Sequence, residues 1–531
     1  MRSLLNPRTA GSASGYGVLT RAESESCRLV AKEQSLEGVI LEGRVAASEA
    51  RRAAIAPPSR HWLRSKVRLE QVKRRECKVK STWLRATITL AAVGLVLLFA
   101  TAAAQVTLRI AEHPGPHVEP LEEYFIPRYE EETGVRVIME VLPPDQLWQR
   151  MMLEAQAGSD YYDIGYHSPG WFGYYYEAVA DLTPMIEESG FDLDQYPQAV
   201  FDSHMVNELL RPGEIVAIAR NPQTPIYVYR KDWFAHPGEQ EAFQAEYGRE
   251  LSPPETWEEL YDIAAFFTRP AGETVAGETL DRPLYGYSAS ISPPGGMARA
   301  FLAIVYSLGL EGWDDTYQSD LDHPILLDGV EYWTRLIQDT FPPAAETWDF
   351  LEHLSFFREG RLATAELWPE GVLTVEDPDG HSSGNVGYAL LPRWEGNLEE
   401  LPVGRSFIGG GGVLIFDTPQ KEEAFRFLQW LFEENSAEFN LRTAMFSRDE
   451  HFSDPDILGA HEFYAEFLPV FQEQMAYGFP RQPIAEWGAV MYTPVGEFAA
   501  DVLHEIMTPE QAQERLVDNM MRVFEEAGYL E

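Results

Sequence analysis

From residue 106 onward the chain alternates between short apolar strands and amphipathic helices, and this alternation limits the folds it can adopt. Segments 106–111, 135–141 and 163–166 have the pattern of strands, whereas 119–132 and 146–157 between them have helical spacing. Strand and helix in strict alternation predict an α/β fold in which helices cover a parallel sheet. Ligands of such sheets bind beyond the carboxyl ends of the strands, so the residues after each strand are candidates for a binding site.

Segment 79–104 separates this α/β region from what precedes it. It begins with the cationic Lys80 and Arg85, continues with the apolar run 88–100 and finishes on alanines that suit a signal peptidase. We therefore predict a secretory signal peptide that is cut after Ala104. An uncleaved anchor is the alternative, because the apolar span is long enough to cross a bilayer. The mature chain is expected in the periplasm or outside the cell, or held at the membrane if the signal stays.

Residues 1–78 differ in character from the rest. Residues 1–104 hold 18 Lys+Arg and 8 Asp+Glu, whereas residues 105–531 hold 24 and 76. A signal peptide normally begins its chain, so we predict that residues 1–78 are not part of the working protein and that Val79 marks a misread start. A disordered basic arm is the alternative.

The composition of residues 105–531 excludes several classes of function. Their net charge of −52 argues against nucleic acids, anionic membrane surfaces and strongly anionic ligands. Both cysteines, Cys27 and Cys77, precede the predicted cut, so the mature part has no disulfide, no thiol nucleophile and no cysteine metal ligand. Its 427 residues are too many for one core and favour two domains.

Three helix starts carry capping signals. Thr256 with Glu259 and Thr508 with Gln511 match the capping box, in which two side chains satisfy free backbone N–H groups. Thr418 followed by proline predicts a third start, with Thr418 as the N-cap.

Six segments, in this order along the chain, resemble the extracellular solute-binding proteins of ABC sugar importers, the family of the maltose-binding proteins. The resemblance covers about residues 106–531. The segments are IYVYRKDWF (226–234), PPETWEEL (253–260), FFREGRLATAELWPEGV (356–372), VGYALLP (386–392), GGGGVLIF followed by KEEAFRFLQWLFEEN (409–435) and TPEQAQERL (508–516). At Ser447 this chain departs from the proline that many relatives carry before a basic residue, which leaves the shape of that loop open.

The resemblance implies the two-lobed periplasmic-binding-protein fold, with hinge strands between the lobes and a ligand cleft that closes by hinge motion. Lobe 1 would contain residues 105–222 and 393–435, and lobe 2 residues 223–392 and 436–531. The ligand would be a sugar or oligosaccharide, and the closed form would dock on the permease subunits of an ABC transporter. The family further implies a monomer with no enzymatic reaction, no cofactor and no nucleic-acid partner.

A sugar offers apolar C–H faces and hydroxyl groups, so its site needs aromatic plates and polar acceptors. The family pattern points to Trp171, Trp368 and Trp487 as plates; core packing is the alternative for each, and Trp257 is expected to be core. Polar and backbone contacts are expected from Glu112, His113, Ser168, Gln223, Thr224, Glu366, Gly410 and Gly411. For Glu112 with His113 the alternative is a solvated loop.

Other site chemistries fit the sequence less well. The glycine run 409–412 leads into a strand rather than a helix, unlike a phosphate loop. His113 and His117 have helical spacing, but Pro114 and Pro116 between them exclude a helix, so we predict no metal site. A secreted carbohydrate hydrolase or lyase, which needs two carboxylates at a fixed separation, remains the alternative class. A second alternative is a protein of the same fold that binds another small solute, such as iron held by tyrosines.

Overall fold

The computed structural model describes residues 105–293, 295–348, 350–482 and 484–530. The predicted extension, the signal peptide and both cysteines lie outside these residues.

Within the described residues there are twelve strands, which we number in chain order. They are β1 (Thr107–Glu112), β2 (Arg136–Val141), β3 (Ile164–His167), β4 (Val206–Asn207), β5 (Arg211–Ile215), β6 (Ile218–Ala219), β7 (Ile226–Arg230), β8 (Thr274–Val275), β9 (Glu278–Thr279), β10 (Thr364–Leu367), β11 (Val386–Ala389) and β12 (Gly412–Ile415).

Helices connect and cover these strands. Those of seven residues or more are Ile126–Thr133, Pro144–Gln156, Thr183–Ser189, Pro237–Tyr247, Trp257–Phe267, Gly295–Ser307, Ile325–Thr340, Phe350–Arg358, Lys421–Gln429, Ser436–Thr443, Tyr464–Ala476, Thr493–Leu503 and Pro509–Ala527. Shorter α-helical turns are Val118–Pro120, Gln198–Val200, Lys231–Phe234, Val372–Val375 and Pro455–Ala460. Two irregular segments matter for the site, the 3₁₀ segment Pro169–Tyr174 and the π-helical turn Gly488–Tyr492.

The first sheet has the strand order β2-β1-β3-β12-β6. Strand β1 pairs in parallel with β2 and β3, as the alternation of strands and helices predicts. Strand β12 enters from much later in the chain and pairs antiparallel with both β3 and β6, so the sheet is mixed rather than wholly parallel. Local periodicity identifies β12 as a strand but carries no information about the direction of its neighbours, which explains the difference.

The second sheet is antiparallel, with β7 between β10 and β11. Its strands are almost wholly buried, and a large apolar core beside it is centred on the helix Gly295–Ser307. The helix Pro509–Ala527 packs into this core through Leu516, Met520 and Phe524, the face that its sequence periodicity predicts. Trp257 is 2 % exposed in the same core, where it was expected.

The two sheets are joined where the chain runs from β6 to β7. There Gln223 and Gly409 form an isolated antiparallel bridge, in which Gln223 N donates to Gly409 O at 3.2 Å and Gly409 N donates to Gln223 O at 2.6 Å. The segment that leads out of the first sheet is thus paired with the segment that leads back into it at β12.

Thr508 and Gln511 form the complete predicted capping box. Thr256 is confirmed as an N-cap, since its hydroxyl accepts from Glu259 N at 3.2 Å, but the Glu259 side chain accepts from Glu255 N rather than from Thr256 N. The prediction of Thr418 as an N-cap is wrong, because its helix begins at Lys421; the Thr418 hydroxyl accepts from Gln420 N at 3.3 Å and donates to Asp163 Oδ1 at 2.7 Å.

None of the helices in the described part of the chain combines the length and the hydropathy that crossing a membrane requires.

Candidate functional site

Two of the three predicted aromatic plates lie together, on either side of Phe407. The ring centroids of Trp368 and Phe407 are 5.5 Å apart, and those of Phe407 and Trp487 are 5.9 Å apart. Trp368 follows β10 directly, and Trp487 precedes the π-helical turn. Both side chains are buried, at 5 % and 2 % exposure. The three rings form an aromatic group that we call the Phe407 cluster.

The third plate, Trp171, packs against a different apolar cluster from the one that contains Trp368 and Trp487. It belongs to the 3₁₀ segment that follows β3, it is half-buried, and its ring centroid is 6.5 Å from that of Tyr166. The structure therefore brings Trp368 and Trp487 together and leaves Trp171 on the side of the first sheet.

Arg481 contacts both the end of β3, in the first sheet, and the Phe407 cluster. Its Nη1 donates to Ser168 Oγ at 3.2 Å, at the end of β3. Its guanidinium carbon lies 4.9 Å from the ring centroid of Phe407 and 5.1 Å from that of Trp487, within the range of cation–π attraction. Burial lowers the pKa of Arg481 from its ordinary value, and the surrounding tyrosines, Tyr166 among them, oppose that shift.

The segment after β3 and the segment before Trp487 lie in direct contact. A Cβ atom at Gly173 would lie 2.3 Å from Cβ of Ala485, and one at Gly170 would lie 3.1 Å from Cε3 of Trp487. Only glycine allows the two segments to approach so closely. The loops of the first sheet and the core beside the second sheet are therefore closed on each other.

Glu366 is the buried acceptor of the Phe407 cluster. It lies in β10 at 2 % exposure, and Trp368 Nε1 donates to its Oε1 at 3.0 Å. Burial raises the pKa of Glu366 to about 7, although the bond from Trp368 and the charge of Arg299 both oppose the shift. Arg299 in turn donates to Tyr492 Oη at 3.2 Å. Near neutral pH the Glu366 side chain is therefore present in two forms. The charged form only accepts hydrogen bonds, and the protonated form can also donate one.

Glu112, at the end of β1, already has protein partners. Arg220 Nη1 donates to its Oε2 at 2.6 Å, and His113 N donates to its Oε1 at 2.9 Å. Burial raises the pKa of Glu112, but the charges of Arg220 and His117 outweigh that effect and hold the pKa well below its ordinary value. The pair Glu112 and His113 is therefore not a solvated loop. His113 is half-buried against Tyr166, with ring centroids 4.3 Å apart.

Gln223 and Thr224 lie at the crossing between the sheets, and both are buried. Gln223 Oε1 accepts from Glu370 N at 3.2 Å, and the neighbouring Asn221 Nδ2 donates to Glu370 Oε2 at 3.0 Å. The Thr224 hydroxyl has no hydrogen-bond partner among the described residues. These bonds tie the crossing segment to the turn that follows Trp368.

Gly410 and Gly411 are required by the packing of the chain on itself. A Cβ atom at Gly410, where φ is +69°, would lie 1.8 Å from Asn221 O, and one at Gly411 would lie 2.2 Å from His167 O. Gly411 N donates to Asn221 Oδ1 at 3.2 Å. The sequence indicated that glycine here admits a ligand, whereas the structure explains both glycines by the close approach of neighbouring backbone.

His113 and His117 lie close together although the prolines exclude a helix between them. No helix forms there, as predicted, but a turn brings their ring centroids to 5.0 Å. One ligand atom each of Glu112, His113 and His117 lies within 4.8 Å of the others. Helical spacing describes only one way of aligning two rings, and the turn provides another.

Several residues of the candidate site were not predicted from the sequence. The sequence held a signal for Arg299, which interrupts the apolar helix Gly295–Ser307, and for Arg220, which directly follows β6. Arg481, Phe407 and Tyr492 lie in segments without a distinctive pattern.

Comparison with known proteins agrees with this arrangement. Residues 114–438 match the family model of the bacterial extracellular solute-binding proteins. The arabinooligosaccharide-binding protein of Halalkalibacterium halodurans is 22 % identical over 436 residues, which cover 77 % of this chain and 88 % of that protein. A putative binding protein of Brucella abortus is 21 % identical over 360 residues, covering 65 % of this chain and 76 % of that protein.

Solved structures share the fold. An ABC transporter solute-binding protein from Agrobacterium radiobacter in complex with ribitol has a TM-score of 0.67 and 24 % identity, covering 79 % of this chain and 99 % of its own. Maltose-bound MalE3 of T. maritima has a TM-score of 0.65 and 20 % identity, covering 79 % of this chain and all of its own. The chain belongs to the bacterial extracellular solute-binding protein family, and its fold is the two-lobed α/β fold of periplasmic binding proteins.

Proposed function

We propose that this protein captures a sugar or oligosaccharide outside the cytoplasm and delivers it unchanged to the permease subunits of an ABC transporter. The observation that carries the proposal is the Phe407 cluster, which lies where loops of the first sheet meet the core beside the second. The names of the relatives agree with it: one binds arabinooligosaccharides, and similar folds are known with ribitol and with maltose. The protein would act as a monomer without a reaction of its own.

The chemistry of the site suits a polyhydroxylated ligand. Trp368 and Trp487 offer flat apolar faces for the C–H surface of a sugar ring. Glu366 can accept a hydroxyl hydrogen bond, and Ser168 and Arg481 can donate.

The ligand can reach these groups only when the lobes part. Trp368 and Trp487 are almost fully buried, and Arg481 spans the gap to Ser168. The hinge would lie at the bridge between Gln223 and Gly409, with lobe 1 comprising residues 105–222 and 393–435 and lobe 2 the remainder of the mature chain. Binding would favour the closed form by adding contacts from both lobes, offset by the cost of ordering them.

Titration of the mature protein with arabino-oligosaccharides, maltose and ribitol tests this function. For the sugar that binds, Trp368→Ala should weaken binding by more than about tenfold, the loss of about 1.4 kcal/mol or more of stacking. Trp257→Ala is the matched control, because Trp257 is buried in the same apolar core as Trp368 but is not one of the three rings of the Phe407 cluster. It should lower the free energy of unfolding and leave the affinity unchanged.

Chromatography of the sugar after incubation separates binding from hydrolysis. Recovery of intact sugar supports transport, whereas new products would identify the alternative, a secreted hydrolase or lyase. Equal affinity in wild type and Trp368→Ala would remove the Phe407 cluster from the site.

A further inference from the structure

We propose that Glu112, His113 and His117 form a binding site for a divalent transition-metal ion of the zinc class. His117 Nε2 lies 3.3 Å from Glu112 Oε1, and His113 Nε2 lies 3.7 Å from the same oxygen. All three ligand atoms lie within 4.8 Å of one another. A tetrahedral ion with bonds of about 2.0–2.1 Å holds its ligand atoms about 3.3 Å apart, so a small rotation of the rings completes the set.

The hydrogen bonds around Glu112, His113 and His117 leave ring nitrogens free to bind a metal ion. His113 Nδ1 lies 2.8 Å from Pro114 O, which places the proton on Nδ1 and the lone pair on Nε2. Histidines that bind metals commonly donate their other N–H to such a carbonyl. His113 Nε2 and His117 Nε2, the two nitrogens nearest Glu112, are buried without a hydrogen-bond partner in the described part of the chain. An unpaired buried nitrogen is costly, and coordination would satisfy it.

The turn that carries the histidines is shaped around His117. A Cβ atom at Gly115 would lie 2.7 Å from Cε1 and 2.8 Å from Nδ1 of the His117 ring, so only glycine leaves room for it. Pro114 and Pro116 on either side fix their own φ angles and restrict the turn. The ring of His117 is fully buried, whereas 15 % of the His113 side chain remains exposed and gives an ion a route in.

Arg220 affects the metal affinity of the site in two opposite ways. It donates to both oxygens of Glu112, to Oε2 at 2.6 Å and to Oε1 at 3.3 Å, and so fixes the carboxylate with Oε1 beside the histidines. Its positive charge also opposes a cation nearby, while the large excess of acidic residues in the mature chain favours one. Two imidazole nitrogens and one carboxylate oxygen select zinc, cobalt or nickel over calcium or magnesium, with one position left for water.

The experiment uses the mature chain purified through a tag without histidine and stripped with a chelator. Calorimetric titration with Zn²⁺ should show one equivalent bound with a Kd of about 1 µM or below. Co²⁺ should give the visible absorption of a four-coordinate site with nitrogen and oxygen ligands. Ca²⁺ and Mg²⁺ should not compete.

His113→Gln and His117→Gln should each weaken Zn²⁺ binding by at least about tenfold and abolish the Co²⁺ spectrum. The control is His504→Gln, which removes a histidine that also faces a carboxylate, Glu346 at 2.9 Å, but on the surface. It should leave both readouts unchanged. If His117→Gln fails to fold, the result for His113→Gln, at the less buried of the two histidines, decides between the outcomes. Absence of binding in the wild type, or binding that survives His113→Gln, would overturn the proposal.

Discussion

Arg481 donates a hydrogen bond to Ser168, the residue that follows β3, at 3.2 Å. The same guanidinium lies over the rings of Phe407 and Trp487. One side chain therefore contacts the end of β3 and two rings of the Phe407 cluster.

Arg481→Ala should shift the protein toward an open form in the absence of ligand. It removes one hydrogen bond and two cation–π contacts, together about 1–2 kcal/mol, which corresponds to about a tenfold change in the ratio of closed to open molecules. Small-angle scattering should report a larger radius of gyration than for the wild type. Arg522→Ala, at an exposed arginine that donates to Asn519 of its own helix, should leave the scattering unchanged. Identical profiles for Arg481→Ala and wild type would show that this contact does not hold the lobes together.

Glu366→Gln should flatten the dependence of stability on pH. The folded-state pKa of Glu366 is raised from its ordinary value of 4.5 to about 7, so the folded protein keeps the proton where the unfolded chain has lost it. The contribution of Glu366 is therefore most favourable below pH 4.5 and is lost as the pH rises toward 7. Groups that face it are Trp368, Arg299 and Tyr287. At pH 8 the glutamine variant should be more stable than the wild type, by up to about 3 kcal/mol.

Urea unfolding at pH 4, 6 and 8 measures this difference, with the exposed Glu122→Gln as the control. Parallel pH profiles for wild type and Glu366→Gln would mean that the buried carboxyl titrates normally.

Gly410→Ala should destabilise the crossing between the sheets. The φ angle of +69° strains any other residue, and the added carbon would lie 1.8 Å from Asn221 O. We expect a loss of about 3 kcal/mol or more in the free energy of unfolding. Gly459→Ala is the matched control, since that glycine lies in the exposed helical turn Pro455–Ala460 with nothing within 4 Å. It should be neutral or stabilise by up to about 1 kcal/mol. Equal effects of the two substitutions would contradict the packing described here.

The sequence predicts those features that depend on neighbours along the chain. The parallel pairing of β1 with β2 and β3 and the capping box of Thr508 follow from local patterns, and both are present. Thr418 shows the limit, because its helix begins only at Lys421 and its hydroxyl donates to Asp163, a residue remote in the sequence.

The candidate site depends even more on contacts between residues that are distant in the sequence. The family pattern selects Trp368 and Trp487 but not Arg481, whose role depends on a serine that precedes it by more than three hundred residues. Glycine at 410 and 411 indicated an approach to a ligand, yet the atoms that require it belong to Asn221 and His167. The spacing of His113 and His117 argues only against a helix that aligns them, whereas a turn brings their ring centroids to 5.0 Å.

Calorimetric titration of the mature wild-type protein with an oligosaccharide series tests the central claim most directly. The account predicts saturable binding of one sugar per chain, a smaller radius of gyration on saturation and recovery of the sugar intact. Failure of every sugar in the series to bind, or conversion of the sugar to product, would contradict it.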